Sequence, residues 1–144
     1  MNTSIKALLT THAGYGLTVL RVIVGIIFIA HGSQKLFGAF GGYGLEGTGQ
    51  YMESIGLTPG YLMALLSGSA EFFGGVAVLI GLLARPAAAV LILLLAVAIF
   101  SVHISNGLFM ANNGYEFALA LLGGSIAVLI EGAGKLSVDR VIAK

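Results

Sequence analysis

The side chains that could exchange protons or hold a polar ligand in this sequence are His31, Lys35, Glu71, His103, Asn106 and Glu116, and all lie within or beside apolar stretches. His31 and Lys35 are four residues apart, so a helix would carry both on one face. Glu71 is the only charge in the apolar run from Tyr61 to Ala84. At 1.5 Å per residue it stands roughly 15 Å from the start of that run, near the middle of a bilayer if the run spans one. A carboxylate at that depth costs at least about 2.5 kcal/mol, so it is expected to face a protein interior and to be paired, protonated or used. In the structural reading Glu71 is held by Lys35, His31 or His103 to fix helix packing. In the chemical reading Glu71 and His31 exchange protons with a bound molecule, Lys35 supports an anionic form, and His103, Asn106 and Glu116 complete a polar shell. Polar pairs inside membranes average only about 0.6 kcal/mol, which makes packing a poor use for such a residue and favours the chemical reading. His31 and His103 are also of the type that ligates haem iron across a bundle. A histidine near a membrane interface is ordinarily a hydrogen-bonded amphipath, and haem is not expected.

These residues need helices to position them. The chain has 144 residues, 58% of them hydrophobic and 9% charged, and its mean hydropathy is +1.01. Soluble chains carry charge on about a quarter of their residues, so this one belongs in lipid. Long unbroken apolar runs select helices over the alternating strands of a barrel. The expected fold is all-α, a single domain over residues 1–144: an integral membrane bundle of four transmembrane helices with a short interfacial helix in the first outer loop. The first span is read from about Gly16 to Phe37, the second from Tyr61 to Ala84, the third from Pro86 to about Ile104, and the fourth between Glu116 and Glu131. Arg85 and Pro86 are expected to form a tight turn. Ala70, Gly74, Ala77 and Gly81 form a small-residue stripe that would let a neighbouring helix approach closely. In the glycine-rich loop from Gly38 to Gly60, Thr48 is expected to cap a short surface helix carrying Tyr51, Met52 and Ile55, stopped by Gly56. Arg21 is expected to reach the headgroups from the inner end of the first span.

Several classes fall away. The absence of cysteine removes thiol-disulfide chemistry, iron-sulfur ligation and thiolate zinc sites, and no metal site is expected. A net charge of +1 with scattered basic residues leaves no footprint for nucleic acid. Ala30 is followed by His-Gly-Ser-Gln-Lys rather than a cleavage site, so the first apolar run reads as a retained helix and not a signal peptide. Gly42-Tyr-Gly-Leu-Glu-Gly47 matches G-x-G-x-x-G in letters only, because a dinucleotide fingerprint needs a preceding strand and here a membrane helix precedes it.

The run HGSQKLFGAFGGYGLEGTGQYMESIG from His31, with EFFGGVAVLIGLLAR from Glu71 and NGYEFALALL from Asn113, resembles the DoxX family of small bacterial and archaeal membrane proteins over nearly the whole chain. The most specific parts are H-G-x-x-K-L-F-G, carrying His31 and Lys35, and E-x-x-G-G, carrying Glu71. The resemblance implies a four-helix protein of the cytoplasmic membrane associated with redox functions. A related archaeal subunit belongs to a thiosulfate:quinone oxidoreductase, and other relatives are tied to quinone resistance or to an oxidative-stress complex. The leading expectation is therefore a redox-associated subunit that binds a quinone-like molecule among the outer halves of the helices and works with a redox partner protein. The alternative is a non-enzymatic membrane scaffold or a carrier of small molecules or lipids.

Lys6, Arg21, Arg85, Lys135, Arg140 and Lys144 fall at one end of such a bundle and only Lys35 at the other, so the positive-inside rule puts both termini in the cytoplasm. In a cysteine-free background, Gln50→Cys should react with an impermeant thiol reagent in intact cells and Arg140→Cys should not. Labelling at position 140 but not at 50 would invert the topology.

Overall fold

The computed structural model of the protein describes residues 2–11 and 14–144, which fold into helices without strands among the described residues. They are α1 (Thr3–Leu9), α2 (Tyr15–Phe37), α3 (Gly44–Ser54), α4 (Gly60–Ile80), α5 (Ala84–Ala98), α6 (Glu116–Glu131) and α7 (Val138–Ile142). A π turn over Ile99–His103 and a 3-10 turn over Ile104–Asn106 prolong α5. Among the described residues, three helical stretches are long and apolar enough to cross a membrane: Tyr15–Phe37, Gly60–Ile80 and Ala84–Asn106. α6 is equally apolar but has 16 residues, about 24 Å at 1.5 Å per residue, against a hydrocarbon core of about 30 Å.

The tightest pairing is antiparallel, α2 on α4, and glycine makes it possible. A Cβ on Gly25 would lie 2.8 Å from the Gly75 carbonyl oxygen, and one on Gly32 would lie 2.5 Å from the Phe72 amide nitrogen. Gly68 in turn receives Lys35 and Leu36. The face that α4 buries carries Ala64, Gly68, Glu71, Gly75 and Val78. The stripe expected from Ala70, Gly74, Ala77 and Gly81 is thus one residue out of phase. Turning Glu71 inward sets the rotation of the helix, and it leaves Gly74 against Leu91 of α5 and Gly81 as the left-handed cap of α4. α5 and α6 complete the core through Leu91, Leu95, Ile99, Ala118 and Leu121, packed on Val24, Phe28 and Val78. The opposite faces present Ile23, Ile26, Leu66, Leu93, Phe100 and Ile130 to the surroundings, an arrangement suited to lipid.

At the end of the bundle near the termini, polar groups are taken inward. Arg21 is 1% exposed, which corrects the expectation that it reaches the headgroups. Its guanidinium donates to the carbonyls of Val78 (3.1 Å), Leu79, Ala133 and Leu136. The first two belong to the last turn of α4, where backbone donors run short and Val78 is otherwise served only by the cap N–H of Gly81 at 3.2 Å, and five fixed N–H groups suit them better than water would. Arg85 does the same for Leu129 and Ile130 at the end of α6 and for Leu8 at the end of α1. The reversal expected at Arg85 and Pro86 falls instead at Gly81–Leu83, where Gly81 and Leu83 have positive φ. Pro86 sits in the first turn of α5, where its missing N–H costs nothing. α7 folds back beneath this reversal, and the buried Asp139 carboxylate accepts from the Leu83 and Ala84 amides at 2.7 and 2.9 Å, capping α5.

At the other end, α3 begins four residues before Thr48, which is buried in its middle and is not its cap. Gly56, with φ 85°, terminates the segment as expected, and Leu57 donates to Met52 at 2.9 Å. Gly42 of the G-x-G-x-x-G run presses on Gln34 of α2, where a Cβ would come within 2.5 Å of its Cα.

The glycine seam makes a measurable prediction. Gly32→Ala should lower the thermal stability of the detergent-solubilised protein by about 1–3 kcal/mol through overpacking. Gly123→Ala, where the new methyl meets nothing within 4 Å, should leave it within about 1 kcal/mol of the parent.

Candidate functional site

The close approach of α2 and α4 brings Lys35 onto Glu71, and the two form an ion pair through Nζ and Oε1. Glu71 is 6% exposed. Its second oxygen, Oε2, is buried without a hydrogen-bond partner among the described residues. An unmatched buried polar atom costs about 1–3 kcal/mol, and more when charged. Both residues line a half-enclosed cavity of about 140 Å³, which His31, His103, Phe28 and Phe117 also border. Leu94, Leu95 and Ala98 of α5 and Ala118 and Leu121 of α6 complete its apolar wall.

Each polar side chain reaches the cavity for a local reason. His31 and Lys35 share a face of α2 through their four-residue spacing. The His31 ring lies tilted against the Phe117 ring, with centroids 5.8 Å apart, and makes no hydrogen bond among the described residues. His103 arrives through the π turn, whose extra residue changes the phase of the helix end. Its Nδ1 lies 2.9 Å from the Asn113 carbonyl oxygen. A carbonyl only accepts, so Nδ1 carries the proton, and in the neutral ring Nε2 is left as an acceptor.

Asn106 and Glu116 do not border the cavity. The Asn106 amide donates to the carbonyls of Val102 and Asn113, both at 3.1 Å. Glu116 accepts from the Met110 amide at 2.8 Å. Both fold the connection between the π turn and α6, which fixes the Asn113 carbonyl that orients His103. The structure thus unites His31, Lys35, Glu71 and His103 and sets Asn106 and Glu116 behind them. Two features have no forerunner in the sequence reading. One is the aromatic wall of Phe28 and Phe117, which looks like any core pair in sequence. The other is Ser125, one turn beyond Leu121 on α6, whose buried hydroxyl also has no hydrogen-bond partner among the described residues.

The described residues are those of a helical integral membrane protein, with three helices long and apolar enough to cross a bilayer. The DoxX family model matches residues 16–104, and the chain belongs to that family as an integral membrane protein. It is 37% identical over 90% of its length to CatD of Bacillus subtilis, named as a candidate oxidoreductase, covering 88% of that protein. It is 35% identical to the inner membrane protein YqjF of Escherichia coli, over 90% of this chain and 93% of that one. An uncharacterized membrane protein of Mycobacterium tuberculosis is 32% identical over 87% of this chain and 80% of its own. No solved structure matches the chain significantly.

The ion pair can be tested by subtraction. Lys35→Met leaves the Glu71 carboxylate buried alone and should cost about 3–5 kcal/mol in thermal or chemical unfolding. Lys35→Met combined with Glu71→Met should recover most of that loss. A loss in the double variant equal to the sum of the Lys35→Met and Glu71→Met losses would show that the pair is not coupled.

Proposed function

We propose that the protein is a redox-associated subunit of the bacterial or archaeal cytoplasmic membrane that binds the ring of a quinone-like molecule in the cavity between α2, α4, α5 and α6. The observation carrying this reading is a buried Glu71, paired with a half-buried Lys35, that shares a largely apolar cavity with two histidines. Proton-coupled ring chemistry needs titratable groups beside the ring oxygens and apolar walls around the ring. An apolar cavity of about 150 Å³ holds a benzene molecule, so about 140 Å³ suits one six-membered ring with its tail left in lipid. It is too small for a haem macrocycle. Glu71 and His31 would exchange protons with the ring oxygens, and His103 would position them. Lys35 is engaged with Glu71, so its part is to hold that carboxylate in place. The chain has no cysteine and no flavin motif, so electrons would pass to a partner protein or to a cofactor bound elsewhere. The naming of CatD as a candidate oxidoreductase agrees with this reading.

In this proposal α6 is the fourth span. It buries Ala118, Leu121, Gly124 and Val128 and exposes Leu119, Ile126, Leu129 and Ile130, the pattern of a helix between a bundle and lipid. α3 would lie at the outer interface, where Phe37, Phe40, Tyr43, Tyr51 and Tyr61, all exposed, supply an aromatic belt. The arginine-bearing end, with both termini, would face the cytoplasm.

Organic extraction of the detergent-purified protein should release a quinone with a single-ring head, such as ubiquinone. Ala118→Phe, which fills the cavity without touching the ion pair, should abolish that retention while the protein stays folded. If the parent protein retains no quinone and binds no added analogue, the membrane scaffold or carrier role takes the place of the redox role.

A further inference from the structure

Among the described residues, the cavity-lining polar atom that is both buried and unmatched is an acceptor. Oε1 of Glu71 is occupied by Lys35, and Oε2 is buried with no donor among the described residues. A carboxylate only accepts, and the terminal torsion of a glutamate is soft and two-fold, so a small rotation offers an oxygen to the cavity. His103 spends its Nδ1 proton on the Asn113 carbonyl, leaving an acceptor nitrogen in the neutral ring. Lys35 gives one of its three N–H donors to Glu71, and its side chain is 26% exposed, so its remaining donors are not sealed inside as Oε2 is. His31 can supply either a donor or an acceptor. We infer that the cavity selects ligands that donate a hydroxyl hydrogen, and so takes the dihydroxy, reduced form of an aromatic ring in preference to the oxidised dione.

This inference rests on reading the cavity as a ring-binding site, and chemistry then sets its direction. A hydroxyl on the ring completes Glu71 with a charge-assisted hydrogen bond. A dione carbonyl brings an oxygen lone pair against the carboxylate and leaves that oxygen unmatched. A site whose buried polar groups require a donor discriminates strongly against an analogue that lacks one. One hydrogen bond to a charged group corresponds to a preference of about tenfold to a hundredfold. In the absence of an electron acceptor the protein would therefore hold the reduced ligand.

The test is a ligand series on the parent protein in one detergent, measured anaerobically by equilibrium dialysis. The probes are trimethylhydroquinone, trimethylbenzoquinone and the dimethyl ether of the former, which share a ring and differ in hydroxyl donors. The hydroquinone should bind at least about tenfold more tightly than either of the others. Glu71→Gln should reverse the order. Its amide oxygen can accept from Lys35 while its NH₂ group, a donor, takes the place of the unmatched oxygen. Equal or tighter binding of the quinone or the ether by the parent protein would overturn the inference and leave the ring-site reading standing. Binding of none of the three would overturn both. A folded Glu71→Gln protein that keeps the hydroquinone preference would remove Glu71 as the acceptor and with it the inference. If that variant does not fold, the ligand series on the parent protein decides alone.

Discussion

Two helix backbones cannot approach to glycine distance unless both sequences leave room, and the bundle depends on the place where α2 and α4 do so. Gly25, Gly32, Gly68 and Gly75 bring the pair together. In lipid no hydrophobic effect drives helices together, so close van der Waals contact between backbones is a principal source of association. The same approach places Lys35 of α2 beside Glu71 of α4. Packing and site chemistry are therefore consequences of one seam. A shift of one residue along it would separate the ion pair and drive a Cβ into backbone.

The two ends of the molecule treat polar groups in opposite ways. Near the termini they are matched. Arg21 takes carbonyls of the last turn of α4, Arg85 takes those at the ends of α1 and α6, and Asp139 takes the first amides of α5. The helix ends there are closed by side chains from other helices, which converts four separate elements into one rigid layer. Around the cavity the matching is left incomplete, with Glu71 Oε2 unpartnered and His31 free of hydrogen bonds among the described residues. Buried polar groups are ordinarily matched, so the unmatched Glu71 oxygen, like the Ser125 hydroxyl on α6, sets this interior apart from the layer near the termini.

Much of this was legible in the sequence. The helices now seen as α2, α4, α5 and α6 follow from apolar runs and from the polar residues that interrupt them. The convergence of His31, Lys35, Glu71 and His103 follows from depth and helical spacing. What was not legible depended on contacts distant in sequence. Arg21 reads as a snorkelling residue because nothing in its neighbourhood reveals that carbonyls from residues 78, 79, 133 and 136 surround it. Asp139 reads as a tail residue because its partners are more than fifty positions away. The small-residue stripe on α4 was off by one because Ala70, Gly74 and Ala77 and the true face of Gly68, Glu71 and Gly75 both satisfy the same spacing. Burial of the carboxylate chooses between them. The position of Asn106 and Glu116 outside the cavity lining is not legible because depth alone cannot separate a group that lines a cavity from one that folds the loop above it.

The capping of α5 by Asp139 has a consequence for the order of assembly. Chains are synthesised from the amino terminus, so α5 is made more than fifty residues before the carboxylate that completes its first turn. Until residue 139 emerges, the Leu83 and Ala84 amides must be served by water or headgroups at the membrane surface. The terminus-proximal layer is thus the last part of the molecule to set, and the helices can still adjust their rotation about the glycine seam while it remains open.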